Sequence, residues 1–353
     1  MTDASDDLIY ARDLDEFTDS RRDHARAVDD GRERRVSLGV YLPEPAWAAS
    51  TDAERYLLRV RSIATTRKSD PVFSFWSAAV VHGLPILGPW PSDVHVTVGR
   101  AGGGRSSGQL VRHATPLRPH DVTRVEGIRL TSVARTVVDL ASTRDSASAI
   151  VLADAALHVD RLSGVAPSTT RDALDDVYRW RTPFAGSRRA RKVLASAVES
   201  SDSPLESVSR LNMGRSGLPR PVLQQRFDDY RGLIGFSELF WPAYRLVGEA
   251  DGRAKYSDPR YRKERTLEQV LLDEKVRGDR LRAIGLDITR WGWDIGANAE
   301  GVAPPLMVAK PGRALRSDSP KPSTTGTASA AESRGNTRQN PTRRARHARV
   351  ARG

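Results

Sequence analysis

Four carboxylates, Glu206, Glu238, Glu249 and Asp251, sit close enough in the sequence to meet at one site. Arg245-Leu-Val-Gly-Glu-Ala-Asp251 reads as a strand, and its two-residue period puts Val247, Glu249 and Asp251 on one face. Leu233 to Trp241 is a second strand candidate, with Pro242-Ala-Tyr-Arg245 as the turn between them. A four-residue turn pairs Trp241 with Leu246 and sets Glu238 across from Glu249. Like charges facing each other destabilise a sheet, so this pairing asks for a cation or a buried lysine between them. Carboxylate oxygens converging on one or two ions, with a positive group to steady charge developing at phosphorus, are what metal-assisted phosphodiester cleavage needs. The competing reading puts Glu238 and Glu249 on a solvated face, paired to arginines.

Glu206 carries two readings of its own. Ser203-Pro204-Leu205-Glu206 is a capping box with proline at the first helical position, which gives the glutamate a complete structural task. A carboxylate on the first turn of a helix preceding the hairpin can also reach the same metal. Lys255 lies four residues beyond Asp251, near enough to swing back over the site. Lys275 and Arg277 ride on a long helix expected from Pro259 to Ile284, with Leu267, Val270, Leu271, Leu281 and Ile284 as its buried stripe. Either cation can face a phosphate. Gly285 ends that helix, and Asp287 to Trp291 alternates as a further strand carrying Arg290. Helix, hairpin, helix, strand is an α/β order with mixed pairing.

The elements ahead of this region read as two further parts. A helix from Ser20 carries Ala25, Ala27 and Val28, stops at Asp29-Asp30-Gly31, and precedes an alternating strand from Arg35 to Leu42. Helix, turn and β-wing is the order of a winged helix, with Arg21, Arg22 and Arg26 toward DNA. A small α/β cap with solvated charges is the alternative. Next come helices at Ala53–Thr66 and around Trp76 to Val80, a strand at Asp93–Val98, and a strand and helix in GIRLTSVARTVVDLAS capped by Thr131 or Ser132. Helices at Ala147–Val159 and Thr169–Trp180 and a basic one at Arg188–Val198 follow. Gly104-x-Ser106-x-Gly108 is followed by QLVRHAT, which reads as a strand where a nucleophile elbow requires a helix, so the motif reads as a hairpin tip.

Composition narrows the chemistry. The 353 residues contain no cysteine, which excludes disulfides, iron–sulfur clusters and thiolate zinc sites and leaves carboxylates and seven histidines as metal ligands. A hard, oxygen-seeking cation is favoured. The net charge of +12 points to a polyanion partner, but ten Lys/Arg against two acids from Pro311 to Gly353 account for most of it. That tail, poor in bulky apolar residues, is expected to be disordered. No apolar run spans a bilayer and the first residues are acidic, so a cytoplasmic protein is expected.

Two resemblances rest on these residues. SPLESVSRLNMGRSGLPRPVLQQ, ELFWP, GEADGRAKY and EKVRGDRLRAIGLDITRWGW resemble the Vsr-like domain of unknown function in the PD-(D/E)XK nuclease superfamily. GVYLP, SFWSAAVVHGLP, VHVTV and GIRLTSVARTVVDLA resemble the N-terminal region of AbiEi-type proteins, the antitoxins and transcriptional regulators of type IV toxin–antitoxin systems. The implied fold is α/β: a winged-helix-like α+β domain, then a restriction-endonuclease-like PD-(D/E)XK domain with a mixed sheet flanked by helices. The implied divisions are 1–43 (winged-helix-like), 44–185 (AbiEi-like), 186–300 (Vsr-like) and 301–353 (basic tail).

By this resemblance Glu206, Glu238 and Glu249 match the superfamily's acids and hold Mg²⁺ or Mn²⁺; Asp251, on the same strand face as Glu249, joins that metal site, Glu249 and Asp251 are the expected catalytic acids, and Lys255 or Lys275 replaces the missing lysine. From their places on the first helix, the long helix and the last strand, Arg21, Arg22, Arg26, Lys275, Arg277 and Arg290 are expected to contact nucleic acid. The sequence departs from the superfamily pattern in having Glu238 where aspartate is usual and Asp251 where the second motif has its lysine. The implied function is a DNA-interacting regulator with a cognate toxin as partner and no membrane. An active endonuclease and a non-enzymatic protein-binding module are the alternatives.

Overall fold

Helix α1 (Ser20–Asp29), preceded by the short strand β1 (Ile9–Tyr10), ends where Gly31 takes φ 71° and the Arg32 amide reaches back to the Ala27 carbonyl at 2.8 Å. The computed structural model describes residues 7–14, 20–99, 109–143, 146–159, 165–250 and 266–298, all within the first of two units, Met1–Ser317. After α1 the sequence pattern predicts one strand from Arg35 to Leu42; the chain makes two, β2 (Glu33–Ser37) and β3 (Val40–Pro43). The break is Leu38-Gly39, where Gly39 adopts φ 72° and folds the alternating run into a hairpin. The order β1-β3-β2 is antiparallel throughout.

Helix α2 (Glu44–Ala49) leads into α3 (Asp52–Thr66), which opens on a complete capping box between Thr51 and Glu54. Helix α3 serves two cores. Leu58 packs with Val36 and Leu42 of the hairpin, while Tyr56, Val60 and Ile63 meet a five-stranded sheet. That sheet is built from β4 (Val72–Phe73), β5 (Val94–Val98), β6 (Leu110–Ala114), β7 (Val122–Val125) and β8 (Ile128–Thr131), with α4 (Trp76–Val81) between β4 and β5. Its order is β6-β5-β4-β8-β7, with parallel β5/β6 and β4/β8 pairs and antiparallel β4/β5 and β7/β8 pairs.

Helices α5 (Val133–Ala141), α6 (Ser146–Leu157), α7 (Arg171–Arg181) and α8 (Ser187–Ser196) form the next layer around Val137, Leu140, Ile150, Leu152, Leu157 and Leu174. Ser132 caps α5, as its sequence suggests. At the seam between sheet and helices lies Arg135, fully buried. It donates to Asp139 Oδ1 at 3.0 Å, Asp121 Oδ2 at 3.2 Å, Thr115 Oγ1 at 2.6 Å and the Pro116 carbonyl at 2.9 Å. Arg181 on α7 closes onto Asp139 as well. The Arg135–Asp139 pair therefore ties the β6–β7 connection, α5 and α7 together.

The last part runs α9 (Pro204–Arg215), β9 (Val222–Asp229), β10 (Gly232–Trp241), β11 (Leu246–Ala250), α10 (Leu267–Ala283), β12 (Asp287–Trp291) and α11 (Trp293–Gly296). The sheet order is β12-β11-β10-β9; β9, β10 and β11 meander antiparallel, and β12 returns parallel to β11. Helix α9 covers one face, where Leu205 and Val208 meet Leu246, Ala250 and Trp291. Helix α10 covers the other, where Leu281 meets Val247 and Ile234. Gly248 is required between them: a Cβ there would stand 2.8 Å from the rings of both Trp241 and Trp291.

Two sequence expectations are corrected in this part. Strand β9 is an additional element, since VLQQRFDD has too little apolar alternation to announce itself. The expected stripe on α10 holds at Leu281, but Leu271 is half exposed because only the C-terminal half of the helix rests on the sheet. The described chain is thus α/β in layers, with mixed and antiparallel sheets flanked by helices.

Arg135→Ala strands Asp121 and Asp139 in the interior with fewer partners, and breaking a buried pair of this kind costs about 3–5 kcal/mol. Thermal or urea unfolding should show a loss of that size; wild-type stability in the variant would contradict the seam's role.

Candidate functional site

Helix α9 begins at the expected cap, with Ser203 Oγ accepting from the Glu206 amide at 3.2 Å. The return half differs from a standard capping box. Glu206 takes a bond from the Ser203 hydroxyl on Oε1 at 2.9 Å and from the Asp202 amide on Oε2 at 3.1 Å, so the carboxyl reaches one residue further back. This leaves it 3% exposed.

The β10–β11 connection has the four residues expected of it. Pro242–Tyr244 form a single 3-10 turn, Arg245 sits at φ 50°, and Trp241 pairs with Leu246. Arg245 also fastens the end of α10, donating to the Ile284 and Gly285 carbonyls at 2.6 and 2.8 Å. The described ladder runs back to Leu239 opposite Gly248, one step short of Glu238 and Glu249. From there the two glutamates part. Glu238 Oε2 accepts from the Ala250 amide at 2.6 Å, binding its carboxyl to the backbone at the end of β11. Glu249 follows Val247 to the α10 face, where Arg290 Nε donates to Oε2 at 2.8 Å and Arg277 to Oε1.

The electrostatics separate them further. Burial pushes the Glu249 carboxyl up, but Arg277 and Arg290 together outweigh it and hold it below the usual carboxylate range. Glu206 has no such relief. Burial, and then the negative charge of Glu238, push its carboxyl up to about 8. Of the five buried acids among the described residues, Asp121, Asp139, Asp154 and Glu249 each pair with arginine. Glu206 pairs with no arginine or lysine among the described residues, and its near charge is another carboxylate.

Glu206 thus feels the charge of Glu238, while Glu249 turns to Arg277 and Arg290, the arginine pairing of the competing sequence reading but at a buried rather than a solvated position. Arg277 and Arg290, expected from their places on the long helix and last strand to contact nucleic acid, bind Glu249, with Arg277 also donating to the Phe236 carbonyl at 2.7 Å. The parallel pairing of their strands explains the Arg290 bond: Glu249 stands beside Arg290 in the β11–β12 register. Lys275 is exposed on α10, and Arg21, Arg22 and Arg26 are exposed on α1, Arg26 touching Asp23 at 3.4 Å. Asp251 and Lys255, the Gly104–Ser106–Gly108 motif and the basic tail lie outside the described residues.

Among the described residues no group of three or more acids or histidines is placed to hold a metal. Two carboxylates are nonetheless a sufficient protein share for Mg²⁺, which keeps several waters and binds through one or two carboxylates. The Glu206–Glu238 pair fits that donor chemistry.

No protein-family model matches the chain. It is similar to two uncharacterized proteins of Mycobacterium tuberculosis, MT2308 of strain CDC 1551 / Oshkosh and Rv2248 of strain ATCC 25618 / H37Rv. Each is 27% identical to it over 165 residues, which is 47% of this chain and 55% of the relative. The chain therefore spans about half the length of the curated relatives it matches.

Glu206 sets a pH dependence whose sign is fixed. An unfolded glutamate ionises near 4.5, so between there and about 8 the folded molecule keeps a proton that the unfolded chain has released. Its contribution to stability is full below pH 4.5 and is lost as pH rises toward 8. Melting curves between pH 5 and 9 should therefore fall more steeply for the wild type than for Glu206→Gln, by about 1.4 kcal/mol for every pH unit across that window. Parallel curves would contradict a proton held on Glu206.

Proposed function

We propose that this chain is a DNA-interacting regulator of the AbiEi-like antitoxin type whose C-terminal part is a Vsr-like member of the PD-(D/E)XK fold. The observation that carries the reading is the order from α9 to β12. A helix, a three-strand antiparallel meander, a helix and a parallel returning strand follow one another, with Glu238 of β10 bonded to the Ala250 amide at the end of β11 and its charge felt by Glu206 of α9. The winged-helix reading of the first segment draws support from α1, followed directly by the β2–β3 hairpin, with Arg21, Arg22 and Arg26 on its exposed side. DNA and a cognate toxin protein are the partners this reading implies, in the cytoplasm. No helix long and apolar enough to cross a membrane occurs among the described residues.

A specific observation favours a second reading, a Mg²⁺- or Mn²⁺-dependent endonuclease. The charge of Glu238 acts on the buried Glu206 carboxyl, and a divalent cation held by both would relieve that repulsion. Bound there, the ion would supply Lewis acidity toward a phosphate and an activated water. In that arrangement Glu206 and Glu238 hold the ion, the Ser203 hydroxyl and the Asp202 amide orient Glu206, and the Ala250 amide orients Glu238. Against cleavage stands Glu249, whose two oxygens are already taken by arginines. Regulation is therefore the leading reading.

Binding to duplex DNA, followed across salt concentration, separates the readings. Arg21, Arg22 and Arg26 changed together to Ala should weaken binding of the full chain and flatten its salt slope by about one unit for each phosphate no longer neutralised. Unchanged affinity and slope would reject α1 as the DNA-facing helix. Cleavage of plasmid in Mn²⁺ that disappears in Glu206→Gln would promote the endonuclease reading over the regulator.

A further inference from the structure

Strand β9 is the outer strand of its sheet, and its outer edge from Gln225 to Asp229 meets no other strand among the described residues. An open edge of this length is a template for another strand. Val222, Tyr230, Leu233 and Phe236 stand exposed on the β9–β10 hairpin, and Leu271, Leu272 and Val276 on α10. The helix and the hairpin are clasped to each other: Arg280 binds both Asp229 oxygens at 2.6 and 2.8 Å and the Gly232 carbonyl at 3.0 Å, and Arg277 binds the Phe236 carbonyl. The hairpin that carries the open strand edge thus also exposes apolar residues, a combination suited to a protein interface.

The charges on the edge select the occupant. Arg226 and Asp228 lie two residues apart, both exposed, and pair with each other at 2.8 Å. When two copies of this strand pair antiparallel about Phe227, residue 226 of each stands opposite residue 228 of the other. Arg226 then faces the second copy's Asp228, and Asp228 the second copy's Arg226. The sequence is self-complementary under a two-fold axis, as an isologous interface requires. The Arg226 carbonyl is covered by the Gln225 carboxamide at 2.9 Å, a bond an added strand would replace with a backbone amide.

We propose that β9 pairs with β9 of a second copy of this chain, joining the two four-stranded sheets into one across a two-fold axis at Phe227. Opposite charges across the paired strands stabilise the joint and set its register. It does not depend on the regulator reading, since it uses neither the acidic pair nor α1.

The test is the mass of the full chain measured by analytical ultracentrifugation over a concentration series. The wild type should show a concentration-dependent dimer. Arg226→Glu sets two acidic pairs face to face, and Asp228→Arg two basic ones, so each single reversal should weaken the dimer about tenfold or more. The double reversal Arg226→Glu with Asp228→Arg restores opposite charges across the axis and should restore the dimer. Circular dichroism of all three variants should match the wild type, since both side chains are at the surface. A wild type that stays monomeric throughout would overturn the proposal. A dimer indifferent to the single reversals would overturn it too, placing the interface elsewhere, as would a double reversal that fails to recover.

Discussion

A carboxylate taken out of water must be met by a cation, by hydrogen bonds or by a proton, and the architecture of this chain follows from how it meets that constraint. Arginine answers it in most places. Arg135 and Arg181 neutralise Asp139, Arg118 and Arg135 share Asp121, Arg210 on α9 reaches Asp154 on α6, and Arg277 and Arg290 enclose Glu249. These pairs do more than balance charge. Most of them span elements distant in sequence, so the planar guanidinium fixes their approach by direction as well as by attraction. The Arg210–Asp154 bond joins the helical layer to the C-terminal part through α9.

Glu206 is where the pattern breaks. It is as deeply buried as the others, receives a hydroxyl and an amide rather than a guanidinium, and feels the charge of Glu238. Two carboxylates in one low-dielectric place do not both ionise; they share a proton or they bind a cation. On the endonuclease reading, the pair is the place where a proton gives way to a metal ion. Glu249 is the contrast that gives this meaning. It lies on β11 with its charge already spoken for, which makes it part of the scaffold of α10, β11 and β12.

What the sequence made legible was local. The serine cap and proline at the head of α9, the four-residue turn after Trp241, Gly285 closing α10 and Ser132 opening α5 all depend on residues within a turn of one another. The choice of partners was not legible. Glu249 meets Arg277 and Arg290, which lie 28 and 41 residues away, and an arginine-rich sequence offers many equivalent cations until the chain is folded. The hairpin at Leu38-Gly39 was hidden because both of its strands keep one alternating pattern, and only the left-handed glycine marks the turn. Strand β9 was hidden because an edge strand needs apolar residues on little of its surface.

The most direct measurement is a carboxyl-carbon NMR titration of the full chain labelled on its glutamates, with and without Mg²⁺. One glutamate should titrate near 8, disappear in Glu206→Gln, and move to a lower midpoint when Mg²⁺ displaces its proton. If every glutamate titrates in the ordinary range, or if the high midpoint ignores Mg²⁺, the Glu206–Glu238 pair is not a proton-and-cation site.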